Sequence, residues 1–160
     1  MTMKKYISYQ EAMAKLKHYC SYQERSHHDV RYKLISLGIR GEDLEEIISH
    51  LVQENYLDET RYAKTYARGK MRMNGWGWQK IRISLKQKGI SEYNLGKARD
   101  EITQDENYKG ILQGLLKKKN LQLKNQEVRE RKNKLFRFAY GRGFEADLIS
   151  EVLSELLSSQ

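Results

Sequence analysis

The chain has 160 residues, no proline, a single cysteine, 39% apolar side chains and a net charge of +9. Without its strongest breaker the helix is the expected element throughout, and the modest apolar share suits an elongated all-α chain whose helices each bury one stripe. Lone Cys20 excludes an internal disulfide, no apolar run is long enough to span a bilayer, and no apolar stretch of signal-peptide length follows the first lysines, so a cytoplasmic protein is expected.

Nine helices are legible in chain order. Ser8 and Glu11 read as a capping box ahead of Ala12, Leu16, Tyr19 and Cys20 at helical spacing. Ser26 caps a second helix that ends at Gly38. Glu42, Asp43, Glu45 and Glu46 open a third, where carboxylates meet the positive end of the helix dipole. Asp58 caps a fourth that reaches about Met73 and stops at Asn74-Gly75. The fifth follows the joint "NGWGW" and closes at Gly89, and a sixth comes after it. Tyr108, Ile111, Leu112 and Leu115 give the seventh its buried stripe, while residues 117–125, "KKKNLQLKN", read either as a flexible stretch or as the solvated end of that helix. Two more helices flank Gly143.

Three glycine-apolar pairs, Gly38-Ile39, Gly89-Ile90 and Gly143-Phe144, stand 51 and 54 residues apart and anchor a threefold repeat. Val30, Ile81 and Leu135 precede them at one common offset, and Leu34, Leu85 and Ala139 at another. Leu44, Leu95 and Ile149, then Leu51, Ile102 and Leu156, follow them at matched distances. Each unit is therefore a helix, a helix closed by a left-handed glycine, and a third helix. The expected domains are three three-helix modules, 1–57, 58–104 and 105–160, forming an elongated, curved array in which neighbours share buried surface.

Charge is unevenly spread over these modules: residues 1–60 sum to −2, residues 61–142 to +15 and residues 143–160 to −4. Such a block attracts a polyanion, or a protein with an acidic face, with a pull that salt weakens. Projection of the fourth helix places Tyr62, Tyr66, Gly69 and Met73 on a core face and Arg61, Lys64, Arg68 and Arg72 on a separate cationic stripe. In the fifth, Ile81 and Leu85 point inward and Arg82 and Lys86 form an i, i+4 pair away from them. Gly75 and Gly77 turn the chain between these helices; with no strand before them they do not make a phosphate-cradling loop. Of Trp76 and Trp78, at least one staples the two helices and the other is available as a contact aromatic. The candidate contact residues are thus Arg61, Lys64, Arg68, Arg72, Lys80, Arg82 and Lys86, with Trp76 or Trp78 as anchor and Lys134 and Arg137 extending the surface. Each cation suits a phosphate or an acidic patch on a protein.

Catalysis and metal chemistry find no support. His18, His27, His28 and His50 have no ligand spacing with cysteine or carboxylate, and no nucleophile stands at an interpretable distance from a base. Neither a cofactor nor a metal is expected, and the protein is read as a non-enzyme.

The stretches "ERSHHDVRYKLISLGI", "LVQENYLDETRYAKTYARGK" and "NGWGWQKIRISLKQKGI" resemble the RecX family of recombinase regulators. The family's pattern is matched by Arg25-Ser26, Leu34 with Gly38-Ile39, Asp58 with Tyr62-Ala63, and Gly75 and Gly77 with Ile81, Leu85 and Gly89-Ile90. Order and spacing together carry the likeness, most specifically over residues 22–102; the third repeat matches by its apolar pattern alone. The resemblance implies a monomeric bacterial protein of tandem three-helix repeats that lies in the groove of the RecA filament on single-stranded DNA. It also implies inhibition of ATP turnover, strand exchange and filament growth, with weak binding of free DNA and no membrane partner. The alternative reading is a helix-turn-helix-like duplex DNA-binding protein, a repressor or architectural protein; that class concentrates base-reaching residues at the start of one recognition helix, whereas here cations spread over several.

Overall fold

The computed structural model describes residues 7–158, which hold nine helices and no strand. They are α1 (Tyr9–Tyr22), α2 (His27–Ser36), α3 (Gly41–Gln53), α4 (Glu59–Asn74), α5 (Trp78–Gln87), α6 (Glu92–Thr103), α7 (Glu106–Gln122), α8 (Val128–Gly141) and α9 (Ala146–Ser158). The expected N-caps form, although at α1 only the Ser8 half of the expected capping box is made. Ser8 Oγ accepts from the Glu11 backbone N–H, and Asp58 Oδ1 from that of Arg61. Ser26 and Asp29 exchange hydrogen bonds in a complete capping box. The α7 helix continues to Gln122, so most of the lysine-rich stretch is helical rather than loose.

The three anchor glycines adopt one motif. Gly38, Gly89 and Gly143 have φ of 83°, 79° and 98°, and the apolar residue after each donates its N–H back to the preceding helix. These bonds run from Ile39 to Leu34, Ile90 to Leu85 and Phe144 to Ala139. The fold-back buries Ile39, Ile90 and Phe144 beneath the second helix of their module. The repeat-matched positions are buried in all three modules, except Leu156, which is half-buried.

The modules are not packed alike. Helices α1, α2 and α3 close a core of their own around Leu16, Val30, Leu34, Ile47 and Leu51. Helices α4 to α9 instead share one continuous core that runs from Tyr62 to Leu153. The most extensive helix contact, α4 against α6, uses the small buried faces of Ala63, Ala67 and Ala98. The core face of α4 therefore centres on Ala63, Ala67 and Met71; Met73, expected inside, is 87% exposed because it lies on the last turn beyond its partners. An accessible surface of 10500 Å², against about 8,400 Å² for a compact monomer of this mass, fits an elongated array.

The second and third modules are joined backbone to backbone. The Gly77 N–H donates to the Arg142 carbonyl at 2.8 Å, and the Gln79 N–H to that of Gly143 at 2.9 Å. A Cβ on Gly77 would lie 2.4 Å from the Gly143 carbonyl carbon, and one on Gly143 would lie 2.5 Å from Lys80 Cβ. Gly77 has an ordinary φ of −84°, so its role is this close approach; the turn itself is made by Gly75, at φ 65°. Beside this contact the Tyr108 hydroxyl accepts from the Trp78 N–H at 2.9 Å and donates to Glu145, tying α5, α7 and the start of α9 together. Burial pushes that hydroxyl's pKa far above the ordinary tyrosine value.

The first and second modules meet through polar links. Arg61 Nε donates to Glu24 at 2.6 Å, its guanidinium also reaches the Asn55 carbonyl, and the His27 N–H donates to Glu59. Tyr62 sits at this seam, its hydroxyl pKa raised by burial and then by the charge of Asp29.

Candidate nucleic-acid interface

The α4 stripe exists, but α6 and the cap of α7 supply carboxylates along it. Arg68 donates to Glu101, Lys64 lies 4.0 Å from the same carboxylate, and Arg72 reaches Asp105 at 3.2 Å. Asp105 is held below the usual carboxylate range, first by the Asn107 backbone N–H that it accepts and then by Arg72. With Arg61 engaged by Glu24, all four stripe residues have an acidic neighbour. Arg82 and Lys86 stand at 3.9 and 3.8 Å from Glu92 across the α5–α6 turn. Much of the positive block is therefore compensated locally.

A different set of cations has no such partner. Lys70, Lys80 and Lys88 have no carboxylate within 4.0 Å among the described residues, although each is half-buried. They gather instead on two aromatic faces: Lys70 and Lys80 Nζ lie 4.9 and 4.8 Å from the centroid of Trp76, and Lys70 and Lys88 lie 5.5 and 5.7 Å from that of Tyr66. Ring quadrupoles offset part of the cost of holding ammonium groups together. The Tyr66 hydroxyl is fixed by Ser84 on α5. Trp78 is the buried tryptophan, at 4% exposure, and staples α5 into the core; Trp76 is half-buried and keeps an open flank.

The third module adds a smaller cluster next to this one. Phe138 lies between Lys119 and Arg142, at 5.3 and 5.2 Å, and Arg142 also donates to the Asn74 carbonyl at the end of α4. Lys134 is exposed and donates to Gln126, and Arg137 is exposed on α8. The structure thus brings Trp76 and Lys80 together with Lys70, Lys88 and Tyr66, which the sequence reading had not placed at the site. Their only advance signal was the i, i+4 spacing of Tyr66 with Lys70, and of Trp76 with Lys80. Chemically, an indole flanked by lysines offers a stacking face with phosphate-binding groups beside it. Among the described residues no group of three His, Cys, Asp or Glu side chains is placed to hold a metal ion, and no helix is long and apolar enough to cross a membrane.

Two family profiles match this chain, one described as RecX, second three-helix domain, over residues 58–98, the other as RecX, third three-helix domain, over residues 110–153. Similar proteins named "Regulatory protein RecX" include one from Prosthecochloris aestuarii, 29% identical over 141 residues, which cover 88% of this chain and 90% of that protein. Another, from Vibrio campbellii, is 32% identical and covered to 84% on both sides. A longer one, from Clostridium botulinum strain Alaska E43, is 31% identical, and the chain spans 60% of its length. The crystal structure of RecX from Lactobacillus salivarius superposes with a TM-score of 0.82 at 27% identity, over 92% of this chain and 96% of that one.

Proposed function

The chain belongs to the RecX family of regulatory proteins, and from that premise we propose that it binds the RecA filament on single-stranded DNA and inhibits it. The observation that carries this reading is the cluster of Lys70, Lys80 and Lys88 around Trp76 and Tyr66, a cationic and aromatic surface with no carboxylate within 4.0 Å of its lysines among the described residues. Lying along the groove, an elongated array of modules obstructs ATP turnover, strand exchange and filament growth by contact alone, without a cofactor or any chemistry of its own. The acting species is a monomer in the cytoplasm, and free DNA binds weakly.

Contacts come first from Trp76 and Lys80, joined by Lys70 and Lys88. Arg61, Lys64, Arg68 and Arg72 act at second hand, because each must exchange a carboxylate for the partner. Lys134 and Arg137, with Phe138, carry the surface into the third module.

The test is recombinase ATP turnover on single-stranded DNA, titrated with this protein. Wild type should inhibit; Lys70→Glu/Lys80→Glu should need at least about ten-fold more protein, the equivalent of about 1.4 kcal/mol. Arg68→Ala/Arg72→Ala should lose less. No inhibition by saturating wild type, together with tight sequence-specific binding to duplex, would replace this reading with that of a duplex-binding regulator.

A further inference from the structure

The first module, residues 1–57, carries eight basic and eight acidic side chains, and pairs some of them, Lys17 with Glu54 among these. Its acidic run, Glu42, Asp43, Glu45 and Glu46, lies at the start of α3, with Arg31 paired to Glu45. On the α1–α2 side an open cleft of about 530 Å³ is lined by Lys15, His18, Tyr19, Tyr22, Arg25 and Lys33, with no carboxylate in its wall among the described residues. That volume falls within the range of small-ligand clefts, about 300–1,000 Å³. Glu24, beside Arg25, is committed to Arg61 and Asp29 to the Ser26 N–H, while Glu11 stands one turn before Lys15 on α1 and lies outside the wall. Within the cleft the Arg25 guanidinium lies 3.7 Å over the Tyr19 ring and its Nε donates to the Tyr19 carbonyl, while Lys33 Nζ stands 5.7 Å from the same ring. Tyr22 is 78% exposed at the end of α1.

Repeat register relates this cleft to the Trp76 cluster. Tyr19 and Arg25 precede Gly38 by the same distances at which Lys70 and Trp76 precede Gly89. The aromatic and the cation have changed places, yet they still stack: Arg25 on Tyr19 in the first module, Lys70 on Trp76 in the second. Lys33 and Ser84 occupy matching positions on the second helix, and each faces a tyrosine of the first, Tyr19 and Tyr66. A pairing kept while its members exchange is a property of the module rather than of one helix.

We propose that this α1–α2 cleft is a second contact for single-stranded nucleic acid, taking an unpaired base against Tyr22 and the Arg25–Tyr19 stack and the adjoining phosphates on Lys15 and Lys33. The idea rests on the reading above for its ligand class. Stacking on tyrosine and arginine planes tolerates any base, so the contact is independent of sequence. Together with Trp76 it gives the strand two points of attachment on modules joined by a polar seam.

Two measurements on the full chain test the cleft, both with a thymidine oligonucleotide and no recombinase. In the first, 5-iodouracil replaces one thymine and photocross-links are mapped by mass spectrometry; adducts are expected at Tyr22, Tyr19 or His18 as well as at Trp76. In the second, the affinity is followed against salt: Lys15→Gln/Lys33→Gln should flatten the logarithmic slope by about 1.4, two single-strand phosphate contacts. Tyr22→Ala should weaken binding about ten-fold, with far-UV circular dichroism unchanged. Adducts confined to residues beyond 58, or a slope unmoved by the glutamine pair, would overturn the proposal. So would no adducts at all from a protein that still inhibits the recombinase, an outcome that leaves the filament reading intact. Loss of inhibition by the glutamine pair with adducts and slope unchanged would assign the cleft to a protein partner, overturning it as well.

Discussion

The first module and the fused pair behind it solve the same packing problem differently. About fifty residues in α1–α3 enclose their own small core and touch the rest through Glu24, Arg61, His27 and Glu59. Helices α4–α9 merge two such units into one core, welded where Gly77 and Gly143 let backbones meet. A core of the smaller size is marginal alone, whereas doubling the unit raises the fraction of surface buried. One repeated pattern therefore yields one independent body and one double body, and the difference lies in the residues at the joints.

Substitutions can erase or heighten that difference. The largest effect is expected from Gly143→Ala, where a Cβ 2.5 Å from Lys80 and a φ of 98° combine. Overpacking and backbone strain together should cost about 4 kcal/mol. Fluorescence reads it, since both tryptophans sit in the second module, and the double body should come apart before the first module does.

Next is Leu34→Ala, a cavity in the small core worth about 3 kcal/mol. Circular dichroism should then show a first transition that tryptophan fluorescence does not follow, and coincident transitions would mean the two bodies unfold as one. Cys20 reports the same opening, because burial pushes its thiol up to about 11 from 9.0. The folded state thus holds its proton where the unfolded one has released it. The thiol's contribution is full below pH 9 and declines between about 9 and 11. Within that window the first module should weaken as pH rises, while the double body is untouched by this group.

Tyr108→Phe strands the Trp78 N–H in the joint of the double body and should cost about 2 kcal/mol in the fluorescence transition alone. Smallest is Glu24→Gln. Its ion pair with Arg61 is partly exposed, so its loss should cost about 0.5 kcal/mol and become undetectable at high salt. A larger effect in molar salt would mean that the seam between the bodies is apolar.

The sequence made the modules legible because their determinants are local. A left-handed glycine followed by an apolar residue, a Ser26 or Asp58 cap, and an apolar stripe each act within one or two turns. The joints were illegible for the opposite reason. Gly77 reads as a turn residue, yet what requires it is the backbone of Gly143, far along the chain. The cationic stripe on α4 was correctly phased about its axis, but periodicity has no means of showing that Glu101 and Asp105 close over it. Conversely, Lys70 and Lys88 lie outside the contact set expected from the sequence, and only the fold gathers them on Trp76 and Tyr66. The resemblance to the RecX family carried the family assignment through all of this, because family motifs record scaffold positions more than contact positions.

The interlocked glycines hold the rear units backbone to backbone, so their mutual angle should vary less than the angle each makes with the leading unit. A ligand that winds with a pitch of its own must be met by movement elsewhere, and the ionic strap ahead of Arg61 is where the chain can yield. Salt should loosen that strap and widen the range open to the leading unit.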